Sequence, residues 1–68
     1  MTVGELVSAW IDSNGMSQRE FARKIGSSQA YVQKLCHGGV SYPTLNLAKK
    51  MCDVMGITLD EMWSKVSH

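Results

Sequence analysis

The stretch from Ser17 to Cys36, SQREFARKIGSSQAYVQKLC, constrains the fold of this 68-residue chain more than any other. Ser17 can cap a helix by accepting a hydrogen bond from a free N–H in the opening turn. Glu20 stands three residues later, where it can reach back to the cap and complete an S-x-x-E capping box. Phe21, Ala22 and Ile25 then fall on one helical face. Gly26 is placed to end that helix in the left-handed region, which glycine enters at little cost. Ser27 and Ser28 follow directly, so a second N-cap comes within two residues of the first helix's end. In the helix this opens, over 28–36, Val32, Leu35 and Cys36 make a narrow apolar stripe. Gln29, Ala30, Gln33 and Lys34 are left toward the outside. A turn so short makes the two helices cross steeply. The second helix then presents a polar face for which the chain itself offers no partner.

The flanking segments read as helices too. A first helix is expected over Val3–Ser13, with Thr2 as its cap and Leu6, Val7, Trp10 and Ile11 as its buried face. Asn14 and a left-handed Gly15 end it, and Met16 enters the next helix as a staple toward Phe21. After His37-Gly-Gly comes a loop through Val40, Ser41 and Tyr42. Pro43 suits the first turn of a fourth helix, with Tyr42 held extended before it. That helix is expected to reach Met55, burying Leu45, Ala48, Met51, Cys52 and Met55, and Gly56 ends it. Thr58 and Glu61 form a second capping box for a fifth helix that carries Met62, Trp63 and Val66. The expectation is an all-α, compact five-helix bundle forming one domain over 1–68.

Chains of this size bury only about 60% of the surface that the unfolded state exposes, so a disulfide, a metal or self-association would help. Cys36 and Cys52 lie on apolar faces, where reduced cysteine acts as a small hydrophobe. There is no C-x-x-C pair, and His37 and His68 lack ligand spacing, so zinc has no site. Self-association remains. No acid, base, metal or nucleophile set is clustered, so neither enzyme activity nor a cofactor is expected. No long apolar run or cleavable leader appears, and reduced cysteines fit a cytoplasmic chain.

Net charge is only +1, and its distribution says more. Residues 1–18 carry Glu5 and Asp12, a balance of −2. Residues 19–34 set Arg19, Arg23, Lys24 and Lys34 against Glu20, a balance of +3. The remainder sets Lys49, Lys50 and Lys65 against Asp53, Asp60 and Glu61, a balance of zero. The positive excess sits on the helix pair, a modest footprint for a polyanion.

Residues 15–57, from GMSQREFARKIGSSQAYVQKLCHG through the spacing of Gly26 to Pro43 and on to MCDVMGI, resemble the lambdoid phage repressor and Cro helix-turn-helix family. The likeness continues into ITLDEMW. It implies a lambda repressor-like DNA-binding domain that docks its third helix in the major groove of operator DNA, in the bacterial cytoplasm or nucleoid. Gln29 matches a position where the family often reads adenine, and a carboxamide fits the N6/N7 edge of that base. Ala30 can meet a thymine methyl, and Gln33 and Lys34 lie one turn further, with Lys34 suited to guanine or phosphate. The resemblance implies phosphate contacts from Gln18 and His37, and Ser17, Arg19 beside Gln18, Ser28 through its free backbone donors and Tyr31 through its hydroxyl are read as further phosphate contacts. Arg23, Lys24, Lys49 and Lys50 read as solvated faces.

The chain departs from the family pattern in two places. A common arginine–glutamate pair is replaced by Ile11 and Cys36, both apolar together, which leaves no buried charge unpaired. The segment Gly39-Val40-Ser41-Tyr42 and then Thr44 holds no charge where the family carries basic residues. Fewer neutralised phosphates mean weaker binding with shallower salt dependence. A homodimer would restore affinity by joining two half-sites. Ile57, Leu59, Met62, Trp63 and Val66 crowd into ten residues and supply a candidate dimer interface. The reading is a sequence-specific DNA-binding regulator, most simply a repressor. The alternative is a protein-interaction module of the same fold, antirepressor- or antitoxin-like, with a protein partner.

Overall fold

The helices open on hydroxyl side chains. Thr2 Oγ1 accepts from Glu5 N at 3.0 Å while Thr2 N donates to Glu5 Oε1 at 2.9 Å, a full capping box for α1, Val3–Ser13. Those bonds, the backbone one first, hold the Glu5 carboxyl below its ordinary value. Ser17 and Ser28 cap α2 (Gln18–Lys24) and α3 (Gln29–Cys36). Thr44 caps α4 (Leu45–Met55), and Thr58 and Glu61 exchange bonds of 3.1 and 3.2 Å at the start of α5, Leu59–Val66. The computed structural model describes residues 1–40 and 42–66, and these contain five helices and no strand. Ser41, in the uncharged segment, and His68, weighed as a zinc ligand, lie outside the described residues.

Two local expectations are corrected. Ser17 Oγ accepts from Glu20 N at 3.1 Å, but Glu20 does not return the bond, so α2 has half of a capping box. Pro43 does not open α4. A proline-first helix would need Tyr42 as its cap, and tyrosine lacks a short-chain oxygen to accept from the first turn. Thr44 has one, and its Oγ1 accepts from Leu47 N at 3.3 Å. Pro43 is buried ahead of that cap. Leu45 becomes the first helical residue and is 59% exposed instead of buried.

Val3 and Val7 of α1, Phe21 of α2, Val32 and Leu35 of α3, Met51 of α4 and Met62 of α5 meet in one core, with Ile25 from the turn after α2. α1 packs on α3 and α5, α2 on α3, and α4 on α5. Trp10 is half-buried, its ring 5.9 Å from that of Phe21. The approach of α1 to α3 is close enough to need glycine: a Cβ on Gly4 would collide with the Leu35 carbonyl oxygen and stand 3.3 Å from Cys36 Cα. Among the described residues no polar or charged residue is buried, consistent with the apolar Ile11 and Cys36. Both cysteines are free thiols, and burial pushes each above its ordinary pKa. Cys52 Sγ lies 3.9 Å from Met62 Sδ inside the core.

Candidate nucleic-acid interface

The turn between α2 and α3 is set by backbone bonds. Ser27 N donates to Ala22 O at 2.8 Å and Gly26 N to Arg23 O at 3.2 Å. This Schellman closure requires the left-handed φ of +70° that Gly26 adopts. Gly15, Gly38 and Gly56 take the same region after α1, α3 and α4. Ser28 follows the closure at once and caps α3, its Oγ accepting from Tyr31 N at 3.1 Å. A Cβ on Gly26 would stand 3.5 Å from Lys50 Nζ, so this α4 lysine lies over the turn. There its ammonium faces the C-terminal end of α2, where a helix favours positive charge.

Val32 and Leu35 are fully buried and hold the inner side of α3. Helical periodicity then places Gln29, Ala30, Gln33 and Lys34 on the opposite side, and all four are exposed. Of the residues expected to contact phosphate, Ser17, Arg19, Ser28 and His37 are exposed, while Gln18 and Tyr31 are half-buried. Each serine hydroxyl already accepts a cap bond and keeps its O–H to donate. Burial pushes the Tyr31 phenol above its ordinary value of 10.0, so it stays a protonated donor at neutral pH.

These residues do not form a single cluster. Ser17, Arg19 and Gln29 line one groove of about 590 Å³ between α2 and the start of α3, with Glu20, Ala22, Arg23 and Ser27. His37, the cap residue after α3, sits at the other end of that helix and is not part of the groove. Sequence reasoning missed Arg23 and Ser27 as groove residues. The signal available for Arg23 was its spacing of four from Arg19, which puts both on one helix face.

The candidate dimer residues divide as well. Met62 is fully buried and Val66 is 7% exposed, so both spend their apolar surface inside this protomer and leave none for another. They are corrected from interface to core, because a 68-residue chain needs both to close its centre. Ile57, Leu59 and Trp63 are half-buried. Tyr42, 63% exposed, stacks obliquely on Trp63 with ring centroids 5.7 Å apart, and Leu45 follows three residues later. The apolar patch at Trp63 therefore draws on the loop residue Tyr42 as well as α5. No helix among the described residues is long and apolar enough to cross a membrane.

A helix-turn-helix family model matches residues 7–62, from the middle of α1 into α5. Comparison with curated proteins gives no match. Among solved structures, the DNA complex of SinR, the master regulator for biofilm formation, superposes with a TM-score of 0.80 at 18% identity, covering 90% of this chain and 97% of that one. At that identity the likeness concerns the fold. With most of the chain matched by the family model, the chain belongs to the Cro/C1-type helix-turn-helix family of DNA-binding transcription regulators.

Proposed function

We propose that this regulator binds operator DNA sequence-specifically, with α3 in the major groove, and acts as a phage- or mobile-element-type repressor by occluding a promoter. The observation that carries the reading is the outer side of α3. Gln29, Ala30, Gln33 and Lys34 are all exposed on a helix whose inner side is sealed by Val32 and Leu35. Gln29 and Gln33 each offer a donor and an acceptor side by side, as adenine requires. Ala30 offers a methyl to thymine, and Lys34 a cation to guanine or phosphate. Ser17, Gln18, Arg19, Ser28, Tyr31 and His37 contribute donors to the backbone and fix register without reading sequence.

The working unit in this reading is a homodimer. The longest dimension of the Cα trace is 27 Å, short of the roughly 34 Å between successive half-sites on one face of B-DNA. A second copy supplies the other half-site. Tyr42, Leu45, Trp63, Leu59 and Ile57 form the apolar surface through which the copies join. The protein-module alternative draws on the uncharged segment after α3 and predicts no DNA binding even at low salt.

A fluorescence titration of the protein with duplexes selected from random sequence, at two salt concentrations, separates the two. Replacing Gln29 and Gln33 by alanine should weaken the selected duplex by about 1–3 kcal/mol per lost bidentate contact. The melting curve should not move, because both side chains are exposed. Unchanged affinity in the double variant would sink the assignment of α3 as the reader.

A further inference from the structure

The groove beside α3 holds a second arginine that the family resemblance does not assign to DNA. Arg19 and Arg23 share one face of α2, and that face walls the groove whose far side is Ser27 and Gln29. Both arginines are exposed, and neither has a hydrogen-bond or ion-pair partner among the described residues. Glu20 is the only carboxylate in the lining, so two positive charges face one negative. Gln29 belongs both to this lining and to the exposed outer side of α3. A duplex that admits α3 into its major groove, only about 12 Å wide, must pass a strand close to this wall.

We propose that the groove seats a backbone phosphate of bound DNA between Arg19 and Arg23, with Glu20 limiting the strength of the grip. The inference rests on the DNA reading of α3 and adds a residue and a subsite to it. Two guanidinium forks offer parallel N–H donors to phosphate oxygens, the geometry in which arginine outperforms lysine. The cradle also accounts for the uncharged segment after α3. The positive charge missing from residues 39–44 is placed on α2 instead.

The test measures affinity for a selected duplex and for an unrelated one of equal length, across a salt series. Arg23→Gln should weaken both roughly tenfold at low salt, and flatten the slope of log K against log salt by about 0.9, the signature of one lost phosphate contact. Arg23→Lys should keep the slope and lose part of the affinity, since the charge remains without the fork. Glu20→Gln should act in the opposite direction and tighten both duplexes, an outcome that a merely structural Glu20 would not produce. Lys24→Gln, one residue along and outside the groove lining, is the comparator. A slope for Arg23→Gln no flatter than that of Lys24→Gln, or no gain from Glu20→Gln, overturns the cradle while α3 can still be the reader. Absence of binding to any duplex by the unsubstituted protein overturns both readings.

Discussion

α3 and α5 are held in the same way and leave exposed surfaces of different charge behind. Each is eight residues long, each starts on a side-chain cap, and each buries two apolar residues, Val32 and Leu35 in one, Met62 and Val66 in the other. On α3 the exposed residues are Gln29, Ala30, Gln33 and Lys34, beside half-buried Tyr31 and Cys36. On α5 the exposed residues are Asp60, Glu61, Ser64 and Lys65, and the half-buried Leu59 and Trp63 add apolar surface that Tyr42 extends at Trp63. Anchoring a helix thus takes only two of its residues and leaves the other side open to use. A polar side suits hydrogen bonding to base edges. Half-buried apolar residues beside it suit a partner surface.

Breaking the α3 side of this comparison most severely requires no change in α3. Gly4→Ala should improve helix propensity by about 1 kcal/mol, yet the added methyl would meet the Leu35 carbonyl, which is backbone and cannot rotate away. Overpacking costs about 1–3 kcal/mol or more. We expect packing to win, with a net loss near 2 kcal/mol and a melting temperature lower by about 10 °C. A variant as stable as the parent would mean that α1 does not clamp the end of α3.

The α5 side yields to a milder change. Leu45 is the first residue of α4 and largely exposed, so Leu45→Glu removes little packing, and a carboxylate there favours the helix dipole. Monomer stability should hold while self-association weakens roughly tenfold or more, read by sedimentation equilibrium. Association unaffected by this variant and by Tyr42→Ser would remove this face from the proposed dimer.

The smallest effects sharpen the contrast most. Ser28→Ala and Thr58→Ala each remove a helix cap and should each cost about 1 kcal/mol in a denaturant titration. Equal losses of stability should accompany unequal losses of function. In the proposed interface only the Ser28 variant also loses an O–H offered to phosphate, so only it should weaken DNA binding at equal folded-protein concentration. If both variants weakened binding alike, the loss would reflect stability and not contact.

Much of the fold is legible because its signals are local. The Thr2 and Thr58 capping boxes, the left-handed glycines and the Ser28 cap involve residues within a few positions of one another. Chain chemistry alone decides such contacts. The start of α4 is a closer contest: a favourable proline competes with a favourable threonine cap, and the side-chain acceptor prevails. The polar side of α3 follows from the period of Val32 and Leu35.

What remained hidden depends on which elements meet. Five apolar residues between 57 and 66 look alike in sequence, and only packing of α1 and α4 on α5 separates the buried Met62 and Val66 from the half-buried Leu59 and Trp63. Arg23 reads as one more surface cation until the crossing of α2 and α3 brings it into a groove with Gln29. Sequence alone determined where four of the five helices cap and where the chain turns and stops between helices, since those bonds close within one or two turns. Tertiary structure decided which surfaces are left over, since burial depends on neighbours brought from distant parts of the chain.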